Sequence, residues 1–151
     1  MTHPLTGKIE CRRDDRGRLR LPAEIVNRHT DGRGEVHFWL RQGLDGCIDL
    51  LPQEKWLQLS ERVRALDDMI EAQRRFKRTF FTNSREVTPD GNSRIQLPVY
   101  LTDPAGIDRD VIILAIDDHY EIWDRDRYEA STVSLAEMNA LAGDIFGSKP
   151  N

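Results

Sequence analysis

The sequence says nearly the same thing twice. Residues 14–22 read DDRGRLRLP and residues 90–98 read DGNSRIQLP. Asp14, Arg18, Leu21 and Pro22 recur as Asp90, Arg94, Leu97 and Pro98, at a constant offset of 76 in a chain of 151 residues. A second block follows each copy: CIDLLPQEKW (47–56) matches HYEIWDRDRY (119–128) at an offset of 72. Repetition on this scale constrains the fold more than any local propensity does, because one supersecondary unit has been made twice.

Each copy has the same local reading. A polar turn, DDRG or DGNS, leads into alternating residues, Arg18-Leu19-Arg20-Leu21 and Arg94-Ile95-Gln96-Leu97. A period of two marks a half-buried strand. Pro22 and Pro98 end it, since proline cannot donate to a ladder. The segments AEIVNRH and VYLTDPAGI follow as short helical turns. Then come EVHFWL with CIDLL, and DVIILAI with YEIW, read as hairpin strands joined by RQGLDG and DDH. After Pro52, apolar positions from Trp56 to Phe80 fall at spacings of three and four, which predicts one amphipathic helix over about 53–77. SLAE (134–137) is a capping-box pattern that opens a short helix. The last four residues, Ser148 to Asn151, read as a frayed end.

Composition narrows the class. Charged residues make up 32% and the mean hydropathy is -0.60, as expected for a soluble, cytoplasmic protein. No apolar run reaches the roughly 18 residues of a membrane span, and the N-terminal residues lack the apolar core of a signal peptide. Cys11 and Cys47 form neither a disulfide framework nor a metal pair by spacing. The net charge of -4 is unevenly spread. Residues 1–35 hold eight Lys/Arg against six Asp/Glu, and residues 60–94 have the same balance, whereas residues 95–151 hold four against eleven. Both basic stretches contain a copy of the motif or run into it.

Two copies of Asp-x-x-x-Arg-aliphatic-x-aliphatic-Pro, each with its second block and with a helix between, resemble the MraZ family of transcriptional regulators over about residues 7–130. The resemblance implies an α+β fold of two tandem AbrB-like swapped-hairpin half-barrels, forming one pseudo-symmetric β-barrel. It divides the chain into repeat 1 (7–54), a connecting amphipathic helix (55–82), repeat 2 (83–126) and a C-terminal helical tail (127–151). It further implies a closed homo-oligomeric ring that binds double-stranded promoter DNA at short G-rich direct repeats, represses a division and cell-wall gene cluster, and associates with the nucleoid. Three features depart from the family pattern. Ser93 stands where copy one has Gly17, so Gly91 is expected to supply the turn's flexibility. Arg13 replaces an apolar residue before Asp14. The overall charge is acidic.

The motif chemistry fits nucleic acid. Asp14 and Asp90 are expected to clamp their turns, with Gly17 and Gly91 as turn residues. The clamped loops then present Arg13, Arg16, Arg18, Arg20 and Arg94 to DNA, because guanidinium groups grip phosphate bidentately and read guanine O6 and N7. The basic run RRFKR (74–78) is expected to complement the dipole at the end of the long helix. Asp67-Asp68 on that helix and Asp117-Asp118 on a turn read as solvated charge rather than an acid–base pair. His3, His29, His37 and His119 show no zinc spacing. Trp39, Trp56 and Trp123 read as core or interface anchors. No phosphate loop or nucleophile elbow is present. No cofactor, metal, small-molecule substrate or membrane partner is expected, and no enzymatic activity. The alternative is an AbrB-like antitoxin that holds a partner protein through its acidic C-terminal third.

Overall fold

The structure, a computed structural model, describes residues 3–147. The frayed end expected at 148–151 lies outside the described residues. The fold is mixed α+β, with a mainly antiparallel sheet and, among the described residues, six helices. Strands β1 (Lys8–Arg12) and β2 (Arg18–Arg20) lead to α1 (Ala23–His29), then to the hairpin β3 (Phe38–Gln42) and β4 (Ile48–Pro52). Helices α2 (Gln53–Arg64) and α3 (Glu71–Asn83) separate the copies. The second copy repeats the order: β5 (Arg85–Val87), β6 (Arg94–Gln96), α4 (Val99–Ala105), β7 (Asp110–Ile116) and β8 (His119–Asp124). Helices α5 (Arg125–Ser131) and α6 (Leu135–Phe146) follow.

The pairing interleaves the copies. One six-stranded sheet runs β1-β7-β8-β4-β3-β5, so β1 of the first copy pairs with β7 of the second, and β5 of the second with β3 of the first. The two hairpins meet at β4–β8, where Asp49 faces Glu121 and Leu50 faces Tyr120. Strands β2 and β6 form a separate two-stranded ribbon with Leu19 opposite Ile95. The expected barrel is not closed by hydrogen bonds: β1 and β5 remain as edges of the sheet. The ribbon strands are three residues each and stop before Pro22 and Pro98, too short to bridge both edges. The ribbon joins the sheet by packing instead. Leu19, Leu21, Ile95 and Leu97 sit essentially unexposed in one core with Phe38, Leu40, Ile48, Leu50, Val111, Ile113 and Ile122.

The single long helix expected over 53–77 is two helices, and the connecting segment 55–82 is broken at 65–70. Asp67 explains the break. Its carboxylate accepts the Met69 N–H at 2.9 Å and its carbonyl accepts the Ile70 N–H at 3.2 Å, while its own N–H goes to the Gln73 side chain at 2.7 Å. A short polar side chain that bonds nearby backbone competes with the helical ladder. Asp67-Asp68 therefore lies in a turn rather than on a helix. The RRFKR run moves accordingly. It occupies the middle of α3, whose last turn carries no basic residue, so the expected dipole role at a helix C-terminus does not hold.

Helices α2 and α3 lie on the sheet's outer face through an aromatic column. Trp39 and Trp56 stack with ring centroids 3.7 Å apart, and Phe80 continues the column 6.4 Å beyond. Trp39 also donates its indole N–H to Gln53. Trp123 is buried and donates to Glu121 at 2.9 Å. All three tryptophans thus serve as packing anchors.

Candidate nucleic-acid interface

The two motif turns are one device built twice. Asp14 Oδ1 accepts the backbone N–H groups of Arg16 and Arg18, both at 2.9 Å, and Asp14 Oδ2 pairs with Arg18 Nε at 2.8 Å. The Asp14 N–H donates to the Arg18 carbonyl at 2.9 Å, and the Gly17 N–H to the Asp14 carbonyl at 3.0 Å. Copy two repeats every bond. Asp90 accepts from Asn92 and Arg94 at 2.9 and 3.0 Å, pairs with Arg94 Nε at 2.9 Å, and closes the same backbone bonds through Arg94 and Ser93. These bonds hold both carboxyls below the ordinary carboxylate range; the Arg18 and Arg94 backbone N–H groups contribute most. The expected clamp is present in both copies.

Ser93 takes the place of Gly17 in conformation as well as in sequence. Gly17 has φ +76° and Ser93 φ +61°, both left-handed, whereas Gly91 is not among the residues with positive φ. The flexibility expected from Gly91 is therefore not used. Ser93 itself carries the strain of a side chain in this region.

The antiparallel ribbon sets the two turns at opposite ends. Arg18 faces Gln96 and Arg20 faces Arg94 across it. With Leu19 and Ile95 buried, alternation places Arg18, Arg20, Arg94 and Gln96 on the outward face. The turns brace each other: the Gln96 side chain donates to the Arg16 carbonyl at 3.0 Å, and the Leu21 N–H donates to the Ser93 carbonyl at 2.7 Å.

The arginines fall into three sets. Arg18 and Arg94 are about a quarter exposed and ion-paired to their own aspartates. Arg13 is half-buried and turned into the fold. Its Nη1 donates to the carbonyls of Ile107 at 3.1 Å and Asp108 at 3.2 Å, which ties the first turn to the loop that leads into the second copy's β7. Arg16 and Arg20 are exposed and make no side-chain hydrogen bond or ion pair among the described residues. Periodicity could not separate these sets, because the partners of Arg13 lie more than 90 residues away. Sequence reasoning also missed Arg109 beside the first turn, which pairs with Asp15 at 2.6 Å. It missed Asn92 too, an exposed residue at the tip of the second turn.

Elsewhere, Cys47, Asp49 and Glu121 converge on the outer sheet face. Arg41 pairs with Asp49 at 3.2 Å and Trp123 holds Glu121, so the group is satisfied within the protein. Burial pushes both the Cys47 thiol and the Asp49 carboxyl up. No helix of the described residues is long and apolar enough to cross a membrane.

A family model described as "MraZ protein, putative antitoxin-like" matches residues 80–144. A protein of Heliobacterium modesticaldum named Transcriptional regulator MraZ is 34% identical over 122 residues, which cover 81% of this chain and 82% of that one. Its namesake in Acetivibrio thermocellus is 32% identical over 144 residues, covering 91% and 97%. The one in Symbiobacterium thermophilum is 32% identical over 140 residues, covering 93% of each.

Proposed function

The chain belongs to the MraZ family, and on that premise we propose that it is a sequence-specific, non-enzymatic transcriptional regulator that meets double-stranded promoter DNA with its β2–β6 ribbon. One observation carries the reading: a rigid antiparallel ribbon presents Arg18, Arg20, Arg94 and Gln96 outward between two clamped turns. The major groove of B-DNA admits a two-stranded ribbon, and outward residues on such a ribbon reach base edges and phosphates. The basic face is local, which reconciles DNA binding with a net charge of -4.

The finer reading follows the family. The two copies act as AbrB-like half-barrels, 7–54 and 83–126, joined through 55–82 and followed by the tail 127–151. Several chains assemble into a ring and occupy short G-rich direct repeats in the promoter of a division and cell-wall gene cluster. They repress it by excluding polymerase, and act in the nucleoid. One weak contact per subunit then multiplies through multivalency. Helix α6 supports self-association. Leu135, Met138, Leu141 and Ile145 form an exposed apolar stripe, and no residue of the helix is buried.

The test is fluorescence anisotropy of labelled DNA from upstream of the protein's own gene, at several salt concentrations. Each phosphate neutralised adds about -0.9 to the slope of log K against log salt. Arg20→Ala is expected to weaken binding and flatten that slope while the fold stays intact. A flat slope for the unmodified protein, or binding untouched by Arg20→Ala, Arg18→Ala and Arg94→Ala together, would remove the ribbon from the interface.

A further inference from the structure

The two turns share a frame but differ in what they carry. Two residues beyond each clamping aspartate, copy one has Arg16 and copy two has Asn92. Both residues donate a backbone N–H to the aspartate at 2.9 Å, so both tips are fixed in the same way. Both side chains are exposed, and neither makes a hydrogen bond or ion pair among the described residues. Three neighbouring arginines are otherwise engaged, and Arg20 lies on the ribbon's face rather than at a tip. Arg18 and Arg94 hold their aspartates, and Arg13 holds two carbonyls. The fold therefore leaves an exposed, uncommitted polar side chain two residues beyond each aspartate, and the two differ in chemistry.

That difference has a direct reading in a major groove. A guanidinium has donors only, and its fork matches the O6 and N7 acceptors of guanine. A carboxamide has a donor and an acceptor, which match N7 and the N6 amine of adenine. On the reading above that the ribbon lies in the groove, we propose that the tips divide base recognition: Arg16 reads guanine and Asn92 reads adenine. Arg18 and Arg94, besides facing outward on the ribbon, fix the tips through their aspartates. The tips are roughly 14–20 Å apart, from four to six residues at a strand rise of about 3.4 Å. At roughly 3.4 Å per base pair, the two bases read by one chain are about five base pairs apart. A backbone with near two-fold symmetry thereby recognises a site that lacks it.

The experiment selects binding sites from a randomised duplex pool with the full chain, with Asn92→Arg, with Arg16→Asn and with the double exchange. Amide spectra of the ribbon would confirm that each variant keeps its fold. The expected result is that Asn92→Arg turns a selected adenine into guanine at one position, by about tenfold or more, and leaves the other position unchanged. Arg16→Asn does the converse, and the double exchange reverses the order of the two bases. If Asn92→Arg selects the same sequence as the unmodified protein, the division is wrong. If Arg16→Asn weakens all sequences alike and reduces the salt slope by about one, Arg16 is a phosphate contact and the division is again wrong. If the unmodified chain selects no sequence and binds without salt dependence, the DNA reading itself fails, a result distinct from either of these.

Discussion

At the scale of the residue, the repeat is a pair of experiments already run by the sequence. Gly17 and Ser93 occupy the same left-handed position, one without strain and one with it. Ser93→Gly is expected to stabilise the protein by about 1 kcal/mol, seen as a raised urea midpoint at unchanged m-value. Gly17→Ala is expected to cost about 1–2 kcal/mol, since the backbone is left-handed and the new Cβ would stand 3.1 Å from Arg13 Nη2 and 3.2 Å from Gln96 Nε2. The aspartates give a pH dependence with a definite sign. Both carboxyls are depressed in the fold. The stability they contribute is complete above the unfolded carboxylate pKa of about 4, and is lost as pH falls through the lower folded value. Amide exchange at Arg16, Arg18, Asn92 and Arg94 should therefore stay slow from neutral pH down to about 4 and quicken below it, beyond the intrinsic pH trend. Asp14→Asn should abolish that step in the first turn alone.

At the scale of the element, stability is divided between a packed core and an outer layer of helices. Phe80 is buried where α3 meets the aromatic column. Phe80→Ala is expected to cost about 3 kcal/mol in thermal or urea unfolding, and to leave the ribbon's amide spectrum in place. Helix α6 depends on its own cap, because no residue of it is buried. Ser134 accepts the Glu137 N–H at 3.1 Å and Glu137 reaches back to Ser134. Ser134→Ala should cost α6 about 1 kcal/mol, read as reduced helical circular dichroism with the main unfolding midpoint unmoved. Much at this scale was legible in the sequence: both hairpins, both ribbon strands, the short helices α1 and α4, and the capping box of α6. Strands β1 and β5 were not. β1 shows the sheet only Ile9 and Cys11, and β5 has three residues, so neither makes a strong periodic signal. The break in the long helix was hidden because apolar spacing runs through it, while Asp67 acts through bonds that spacing does not express. In the site, the clamps were legible and the separate duties of the arginines were not. Those duties depend on which carbonyl or carboxylate another copy brings alongside.

At the scale of the whole molecule, the exposed stripe of α6 predicts association. The unmodified chain is expected to scatter light as a multiple of its 17.5 kDa, and Met138→Glu with Ile145→Glu to reduce that multiple while the core still unfolds cooperatively. A chain that remains at one copy throughout would mean that the stripe serves a different protein, as an antitoxin's would. The interleaved sheet bears also on how the chain is made. Strand β1 is synthesised near the beginning, yet its partner β7 is not complete until residue 116, and β2 waits for β6 at residues 94–96. On the ribosome, then, the first copy emerges with two of its strands unpartnered and cannot close until nearly the whole chain has left the exit tunnel. Non-local pairing of this kind folds late and slowly. The earliest-made segment is among the last to be secured, and a nascent chain stalled between the copies would expose to its neighbours the same strand edges that its own second half is meant to cover.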